Sequence, residues 1–308
     1  MQIDFRYLEE KYKFSRDVIE IFWEKYGQRT ENIIQALKKP CKKYAIRVNT
    51  LKTTSRNILY LLNEMNIKAE LNPILEEIIY LPVLGPFPVP EYPKKIVADK
   101  FAAESLIQGA DLFAPGVLKA SKIRVGNKIT IIDRSGKIVA SGIAEMNAGE
   151  MLQRKEGLAV KISDSPYKVF SIRESQVFNE GYIYDQSFPS ILVSKILDPK
   201  PSDYILDMCA APGGKVTHLA ELMQNKGQII AVDRSKPRIM RLKEHINRLG
   251  IKNIEILCGD SRKLPEKYCN FDKILIDPPC SALGVRPKLF DATTKTDIIN
   301  VANYQRQF

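Results

Sequence analysis

The residues with the greatest chemical reach lie in the C-terminal third of the chain. A tight turn, Ala210-Ala211-Pro212-Gly213-Gly214, separates an apolar run ending in Asp207, Met208 and Cys209 from a helical stretch that opens at Lys215. Small residues there let a ligand approach the backbone at a helix N-terminus, where unpaired N–H groups and the helix dipole favour polar and anionic groups. A glycine turn between strand and helix is also a common plain connector. The next apolar run, IIAVDRS, narrows the choice. It ends on Asp233, about twenty residues past the glycines, where a carboxylate can accept both hydroxyls of a nucleoside ribose. Asp260 follows the third apolar run and Asp277 the fourth, which puts two more carboxylates at the same expected sheet edge. A nicotinamide dinucleotide enzyme would carry GxGxxG at the first turn, and AAPGGK is not that motif.

The fourth run leads into DPPCSALG, in which Pro278 and Pro279 stiffen the chain and present Cys280 beside the ligand edge. Cysteines are ordinarily inert packing residues, the expectation for Cys41, Cys258 and Cys269. Cys280 differs by its place. A thiolate is the natural nucleophile for carbon 6 of a pyrimidine, and its addition makes carbon 5 reactive enough to take a methyl group from a sulfonium.

The elements that must position these residues follow from hydrophobic periodicity. Strand candidates at Tyr204 to Met208, Gln228 to Val232, Ile254 to Leu257 and Lys273 to Ile276 alternate with helical stretches at Lys215 to Met223 and Pro237 to Leu249. That alternation predicts a parallel, doubly wound sheet. Upstream, residues 1 to about 40 predict two short helices closed by Pro40. Alternation at Tyr44, Ile46 and Val48 predicts a strand, and Ser55 to Asn66 a helix that begins at a hydroxyl cap. The proline-rich LPVLGPFPVPEYP, from Leu81 to Pro93, predicts a linker. Beyond it a short helix at Ala102 to Gly109 and strands at Lys128 to Ile132, Ile138 to Ala144 and Gly157 to Ile162 predict a compact, largely β barrel.

The chain has 308 residues, enough for two or three domains, and carries 47 Lys and Arg against 36 Asp and Glu. The surplus of +11 favours a polyanionic partner over a neutral metabolite. It is spread out, with 13 basic and 7 acidic residues in positions 1 to 60 alone. The five cysteines, Cys41, Cys209, Cys258, Cys269 and Cys280, are odd in number and form no CxxC pair, so neither a disulfide framework nor a metal site is expected. A reducing cytoplasm suits them. No apolar run is long enough to cross a bilayer, so no membrane association is expected.

Taken together, RVNTLK (47–52), EGYIYDQS (180–187), DMCAAPGGK (207–215), AVDRS (231–235) and DPPCSALG (277–284) resemble the Nop/Sun family of RNA 5-methylcytosine methyltransferases. FAAESLIQGADLFAPGVL (101–118), GNKITIID (126–133) and VASGIA (139–144) resemble a PUA domain, an RNA-binding barrel. The resemblance implies an α/β chain: a small α+β RNA-binding region at 1–92, a β-barrel PUA domain at 93–168 and a Rossmann-like methyltransferase domain at 169–308. The cofactor it implies is S-adenosyl-L-methionine. Residues 209 to 215 (Cys209, Ala210, Ala211, Pro212, Gly213, Gly214 and Lys215) would hold the methionine part, Asp233 the ribose and Asp260 the adenine, while Asp277 would line the same pocket. Lys215 and Asp277 would also lie near the target base.

A PUA domain placed before the catalytic sheet points to the subgroup that methylates a tRNA cytosine in the acceptor stem near the CCA end. Reaching that base requires extruding it from the stem, at a cost of roughly a few kcal/mol. No obligate protein partner is implied. Family members carry a second cysteine in a later Thr-Cys turn as the covalent nucleophile, with the Pro-Cys thiol, here Cys280, assisting product release. That later turn is absent from these residues, so the catalytic domain is expected to be incomplete and the 308-residue chain inactive alone. Two other classes share some of these features: a noncatalytic RNA-binding protein, and a small-molecule methyltransferase, which would leave the basic surplus and the barrel without a use.

Overall fold

The computed structural model describes residues 4–308, and its contacts divide the chain into two units. One gathers the residues up to Lys42, Val83–Val169 and Ser281–Ile299. The other gathers Lys43–Pro82, Phe170–Cys280 and Asn300–Phe308. The grouping cuts across sequence order, in part because residues 183–185 complete a small sheet begun within residues 43–82.

Three helices, rather than two, open the chain: α1 (Phe5–Tyr12), α2 (Arg16–Tyr26) and α3 (Thr30–Leu37). Lys13 turns left-handed (φ 59°) to end α1, and the Ser15 hydroxyl accepts from the Val18 N–H to start α2, a break too short to disturb the apolar spacing. Leu8, Phe14, Val18, Ile19 and Ile34 bury one shared face.

Strand β1 (Lys43–Val48) follows, then α4 (Ser55–Glu64), whose cap is Thr54 one residue before the expected position, β2 (Glu70–Leu71) and β3 (Ile78–Pro82). Alternation places Arg47 on the face of β1 opposite Ile46 and Val48, yet both faces are buried and Arg47 is fully so.

Residues 83–94 form no helix or strand, as the prolines require, but they are pinned. Leu84 and Lys168 exchange backbone hydrogen bonds of 3.0 and 2.9 Å, and the Phe87 N–H donates to the Pro166 carbonyl at 2.7 Å. Next come β4 (Lys95–Ala98), α5 (Lys100–Leu106), β5 (Leu112–Phe113), β6 (Val117–Ala120), β7 (Lys128–Ile132), β8 (Ile138–Ala144), α6 (Ala148–Arg154) and β9 (Leu158–Asp164). The six strands make one sheet ordered β5-β9-β8-β7-β4-β6. The elements β4, β5, β6 and α6 are two to seven residues long and carry too little periodicity to be predicted from sequence.

The chain continues through α7 (Gln176–Asn179), β10 (Ile183–Asp185), α8 (Phe188–Leu197), β11 (Tyr204–Asp207), α9 (Gly214–Leu222), β12 (Gln228–Asp233), α10 (Lys236–Leu249), β13 (Ile254–Cys258), β14 (Lys273–Leu275) and α11 (Lys295–Gln305). Strand β10 pairs antiparallel with β1, so the small sheet β10-β1-β3-β2 is closed by a strand that arrives more than a hundred residues later. Gly181, just before β10, has φ +71°, and a Cβ there would stand 1.9 Å from the Arg248 carbonyl oxygen, so only glycine fits.

The third sheet, β13-β12-β11-β14, is parallel throughout, with β11 and β12 at its centre. This is the doubly wound arrangement expected from the alternation, and it aims the loops after β11, β12 and β14 at one edge. Among the described residues no helix is long and apolar enough to cross a membrane, and no group of metal-ligating side chains could hold an ion.

Candidate active site

At the carboxyl edge of the parallel sheet, the loops after β11, β12 and β14 carry Cys209 to Lys215, Asp233 and Asp277 to Cys280. The β11 strand ends on Asp207, buried, with its carboxylate accepting the Cys209 N–H at 3.2 Å. Burial pushes Asp207 up to about 7, helped by the charges of Asp277 and Asp233. The turn then passes Ala210 to Gly213. At Gly213 (φ +119°) a Cβ would press within 2.8 Å of Leu242 Cδ1, so the turn packs directly on α10. No side chain caps α9, whose first N–H groups therefore face the turn without a side-chain acceptor.

Asp233, at the end of β12, is buried and folds this edge together. Its Oδ2 accepts the Ala211 N–H at 3.2 Å and its Oδ1 the Ser235 N–H at 2.9 Å. Arg238, in the first turn of α10, lies 3.5 Å from Asp233 Oδ2 and also donates to the Ala211 carbonyl. Lys215 and Asp277 meet across the edge, with Nζ to Oδ2 at 2.6 Å. Cys280 follows Pro278 and Pro279 and is exposed.

Two cavities occupy this edge. The larger, about 460 Å³, is lined by Met208, Cys209, Asp233, Arg234, Ser235, Arg238, Ser261, Asp277 to Cys280, Tyr304 and Phe308. The smaller, about 250 Å³, is lined by Tyr184 to Ser187, Ser190, Asp207, Cys209 to Pro212, Gly214, Lys215, Arg238 and Asp277. Cys209, Arg238 and Asp277 belong to both, so the two form adjoining halves of one site. Four carboxylates line it, Asp185, Asp207, Asp233 and Asp277, and Cys209 is pushed up to about 11 by burial first and then by the charges of Asp207, Asp233 and Asp277.

Of the residues singled out in the sequence, Asp233 and Cys280 line the larger cavity. Ala210, Ala211, Pro212, Gly214 and Lys215 line the smaller, and Cys209 and Asp277 line both. Gly213 lines neither and acts through the turn it shapes. Asp260 also stands back from both walls. Its carboxylate is held by Arg262 at 2.8 and 2.6 Å, which keeps its pKa well below the usual range, and its neighbour Ser261 reaches the larger cavity instead. Arg238, Tyr304, Gln186 and Arg47 join the site without having been expected from sequence. Arg238 had a visible signal, a basic residue one turn past Asp233 in a helix that opens Lys-Pro-Arg. Gln186 and Arg47 stood inside quoted motifs without a role.

Comparison with known proteins adds a second kind of observation. Residues 194–308 match the family described as 16S rRNA methyltransferase RsmB/F, residues 94–165 match the PUA domain, and residues 18–87 match the ferredoxin-like domain of RsmF/B-like methyltransferases. The chain is 43% identical over 300 residues to a tRNA (cytosine(72)-C(5))-methyltransferase of Pyrococcus horikoshii, covering 96% of this chain and 77% of that protein. It is 28% identical to the human tRNA (cytosine(72)-C(5))-methyltransferase NSUN6, covering 97% of this chain and 71% of that protein. A crystal structure of NSun6 from Pyrococcus horikoshii with SFG superposes with a TM-score of 0.87, covering 96% of this chain and 79% of that one.

Proposed function

The chain belongs to the RsmB/F family of RNA methyltransferases with a PUA domain, and from that membership we propose that it methylates carbon 5 of a cytosine in the tRNA acceptor stem, near the CCA end, using S-adenosylmethionine. The observation that carries this reading is the 43% identity, sustained over 96% of the chain, to a relative named for tRNA cytosine 72. A division into 1–92, 93–168 and 169–308, with the first two regions contacting RNA, and a cytoplasmic location belong to the same reading.

The side chains present fit this cofactor. Asp233 Oδ1 accepts one backbone N–H only, which leaves acceptor capacity toward a ribose diol. Burial raises Asp207 and Cys209 first, and the neighbouring carboxylates that add to both shifts favour a positively charged sulfonium. The adjoining cavities offer space for a nucleoside end beside Asp233 and an amino-acid end beside the Ala210–Lys215 turn. Bound there, S-adenosylmethionine supplies an electrophilic methyl carbon.

The protein's own groups do the rest. Lys215 holds Asp277 in one orientation at the wall common to both cavities, where the carboxylate can accept from the amino group of an extruded cytosine. Asp233 fixes the turn through the Ala211 N–H while it binds the ribose. Cys280, on its proline-stiffened turn at the rim, takes the family role of assisting product release. The covalent attack on carbon 6 belongs in the family to a cysteine that follows a threonine, and none of the five cysteines here does.

The test is methyl transfer from radiolabelled S-adenosylmethionine to unmodified tRNA transcripts. It compares the 308-residue chain with a form continued through a Thr-Cys turn, each with Cys280→Ala. Label that requires the continued form and an acceptor-stem cytosine supports the reading. Label on the short chain that disappears with Cys280→Ala makes Cys280 the nucleophile and overturns its assigned role. Undiminished label after Lys215→Ala or Asp277→Ala in the continued form removes those two from the site.

A further inference from the structure

The smaller cavity contains a buried side chain whose orientation is fixed by a neighbour. Gln186 is 5% exposed and lines that cavity beside the first residue of α9, its Nε2 lying 3.7 Å from where a Cβ on Gly214 would stand. An amide can be turned either way, and which end faces a ligand depends on its other partners. Here Arg47 decides. It is fully buried, and its guanidinium carries only donors: it donates to Gln186 Oε1, to the Gly214 carbonyl at 2.6 Å, to Thr217 Oγ1 at 3.0 Å and to Glu221 Oε1 at 2.8 Å. Oε1 must therefore face Arg47, and the amide nitrogen must face away from it. One of its protons reaches Ser190 Oγ at 3.1 Å, and the other has no acceptor among the described residues.

Three sets of donors converge on the cavity: this second amide proton, the hydroxyls of Ser187 and Ser190, and the uncapped N-terminus of the nine-residue α9. Convergent donors at a helix N-terminus favour a carboxylate. The acidic groups in the same cavity do not oppose one strongly. Asp277 is paired with Lys215, Asp185 with Arg173 at 3.0 Å, and Asp207 titrates at about 7, while Arg238 adds positive charge.

We infer that Gln186 binds the α-carboxylate at the amino-acid end of the cofactor, and that Arg47 is the positioning residue that turns its amide toward it. This deepens the proposed function and rests on its reading of the site. The same arginine, by holding the Gly214 carbonyl, fixes the first turn of α9 against the amide. The motifs RVNTLK and EGYIYDQS thus meet in one contact whose purpose is to present a donor.

The experiment is isothermal calorimetry on the full chain with two probes: S-adenosylhomocysteine, which has the amino-acid end, and 5′-methylthioadenosine, which lacks it. Gln186→Glu keeps a partner for Arg47 and so preserves the fold, but presents a carboxylate to the ligand's own. Gln186→Ala removes the donor. Each is expected to weaken S-adenosylhomocysteine about tenfold or more and methylthioadenosine less than about twofold. Equal losses for both probes, or none for either, overturn the inference, the first because the residue then acts only through structure. Failure of the unsubstituted chain to bind either probe overturns the cofactor reading itself. Arg47→Lys, which keeps the charge but cannot hold Gln186 and Gly214 with one arm while the other holds Thr217 and Glu221, is expected to show the same bias toward the amino-acid end.

Discussion

Replacing Asp233 by asparagine tests the nucleoside half of the site at the level of single hydrogen bonds. The carboxylate uses both oxygens on backbone donors, Oδ2 on Ala211 and Oδ1 on Ser235. An asparagine must present its NH₂ to one of those N–H groups, leaving two donors face to face, and it removes the negative charge that strengthens bonds to ribose hydroxyls. Loss of one charge-assisted hydrogen bond is worth about 2 kcal/mol, which corresponds to about a thirtyfold rise in Kd. The face-to-face donors add a separate stability loss of about 1–3 kcal/mol, because one buried N–H is left unsatisfied. The two effects separate by assay. Calorimetry with S-adenosylhomocysteine reads the first and urea unfolding without ligand reads the second. A dideoxy analogue without the ribose hydroxyls should lose little affinity to the substitution. Equal loss for the ribose and dideoxy ligands would show that Asp233 only shapes the turn and would refute the diol assignment.

Other consequences concern the buried charges behind the site. Arg47→Met strands Glu221, itself buried and held above the usual carboxylate range by that burial, and should cost about 3–5 kcal/mol in urea unfolding. Arg47→Met with Glu221→Leu should recover most of that stability yet keep the cofactor defect, and recovery of both would deny Arg47 its positioning role. His218, buried among Glu77, Lys195 and Arg47, is lowered to about 4 chiefly by burial. The unfolded chain takes up that proton first, so its contribution is present above about pH 6.5 and lost as pH falls toward 4. His218→Gln should flatten stability across that window, and an unchanged slope would refute it. Asp207 has the opposite sign: raised to about 7, its contribution is present below the ordinary aspartate pKa and lost as pH rises toward 7. Asp207→Asn should therefore gain relative stability from pH 4 to 7, read from the same unfolding curves.

The parts of the site that were legible in the sequence are local ones. A strand, a turn of small residues and a helix put Ala210 to Lys215 in place with no help from elsewhere, and Asp233, Asp277 and Cys280 each follow a strand of the same parallel sheet. Sheet topology alone then brings them to one edge. Arg47 was not legible, because alternation along β1 assigns a charged residue to solvent unless something covers that face. What covers it is α9, whose Glu221 lies 174 residues away, while β10 joins β1 at the sheet's edge only after the intervening domain. Asp260 is the reverse case: its place in sequence was right for a ligand, but the neighbouring Arg262 holds its carboxylate, a local competition that strand order does not reveal.

The RVNTLK segment shows why such a long-range link is built from hydrogen bonds to carbonyls. Arg47, Asn49 and Lys52 all reach backbone oxygens more than a hundred residues away in their own unit: Arg47 that of Gly214, Asn49 those of Gly181 and Leu249, and Lys52 those of Glu180 and Arg248. The last helical carbonyls of α10 are orphan acceptors, and side-chain donors satisfy them without depending on what side chains α10 carries. The small sheet is thereby fixed to the end of α10 at Arg248 and Leu249 and to the start of α9 at Gly214. These helices frame the cofactor turn, with Leu242 of α10 against Gly213. A segment with no atom in either cavity is thus expected to set their width. Asn49→Ala should loosen the α10 end alone, weakening Asp233-dependent binding through Arg238 while leaving the Gln186 contact, which Arg47 holds, unchanged. Calorimetry with S-adenosylhomocysteine and methylthioadenosine should then show equal losses for the two ligands, in contrast to the unequal losses expected of Gln186→Ala. Unequal losses for Asn49→Ala would show that the two anchors are not independent.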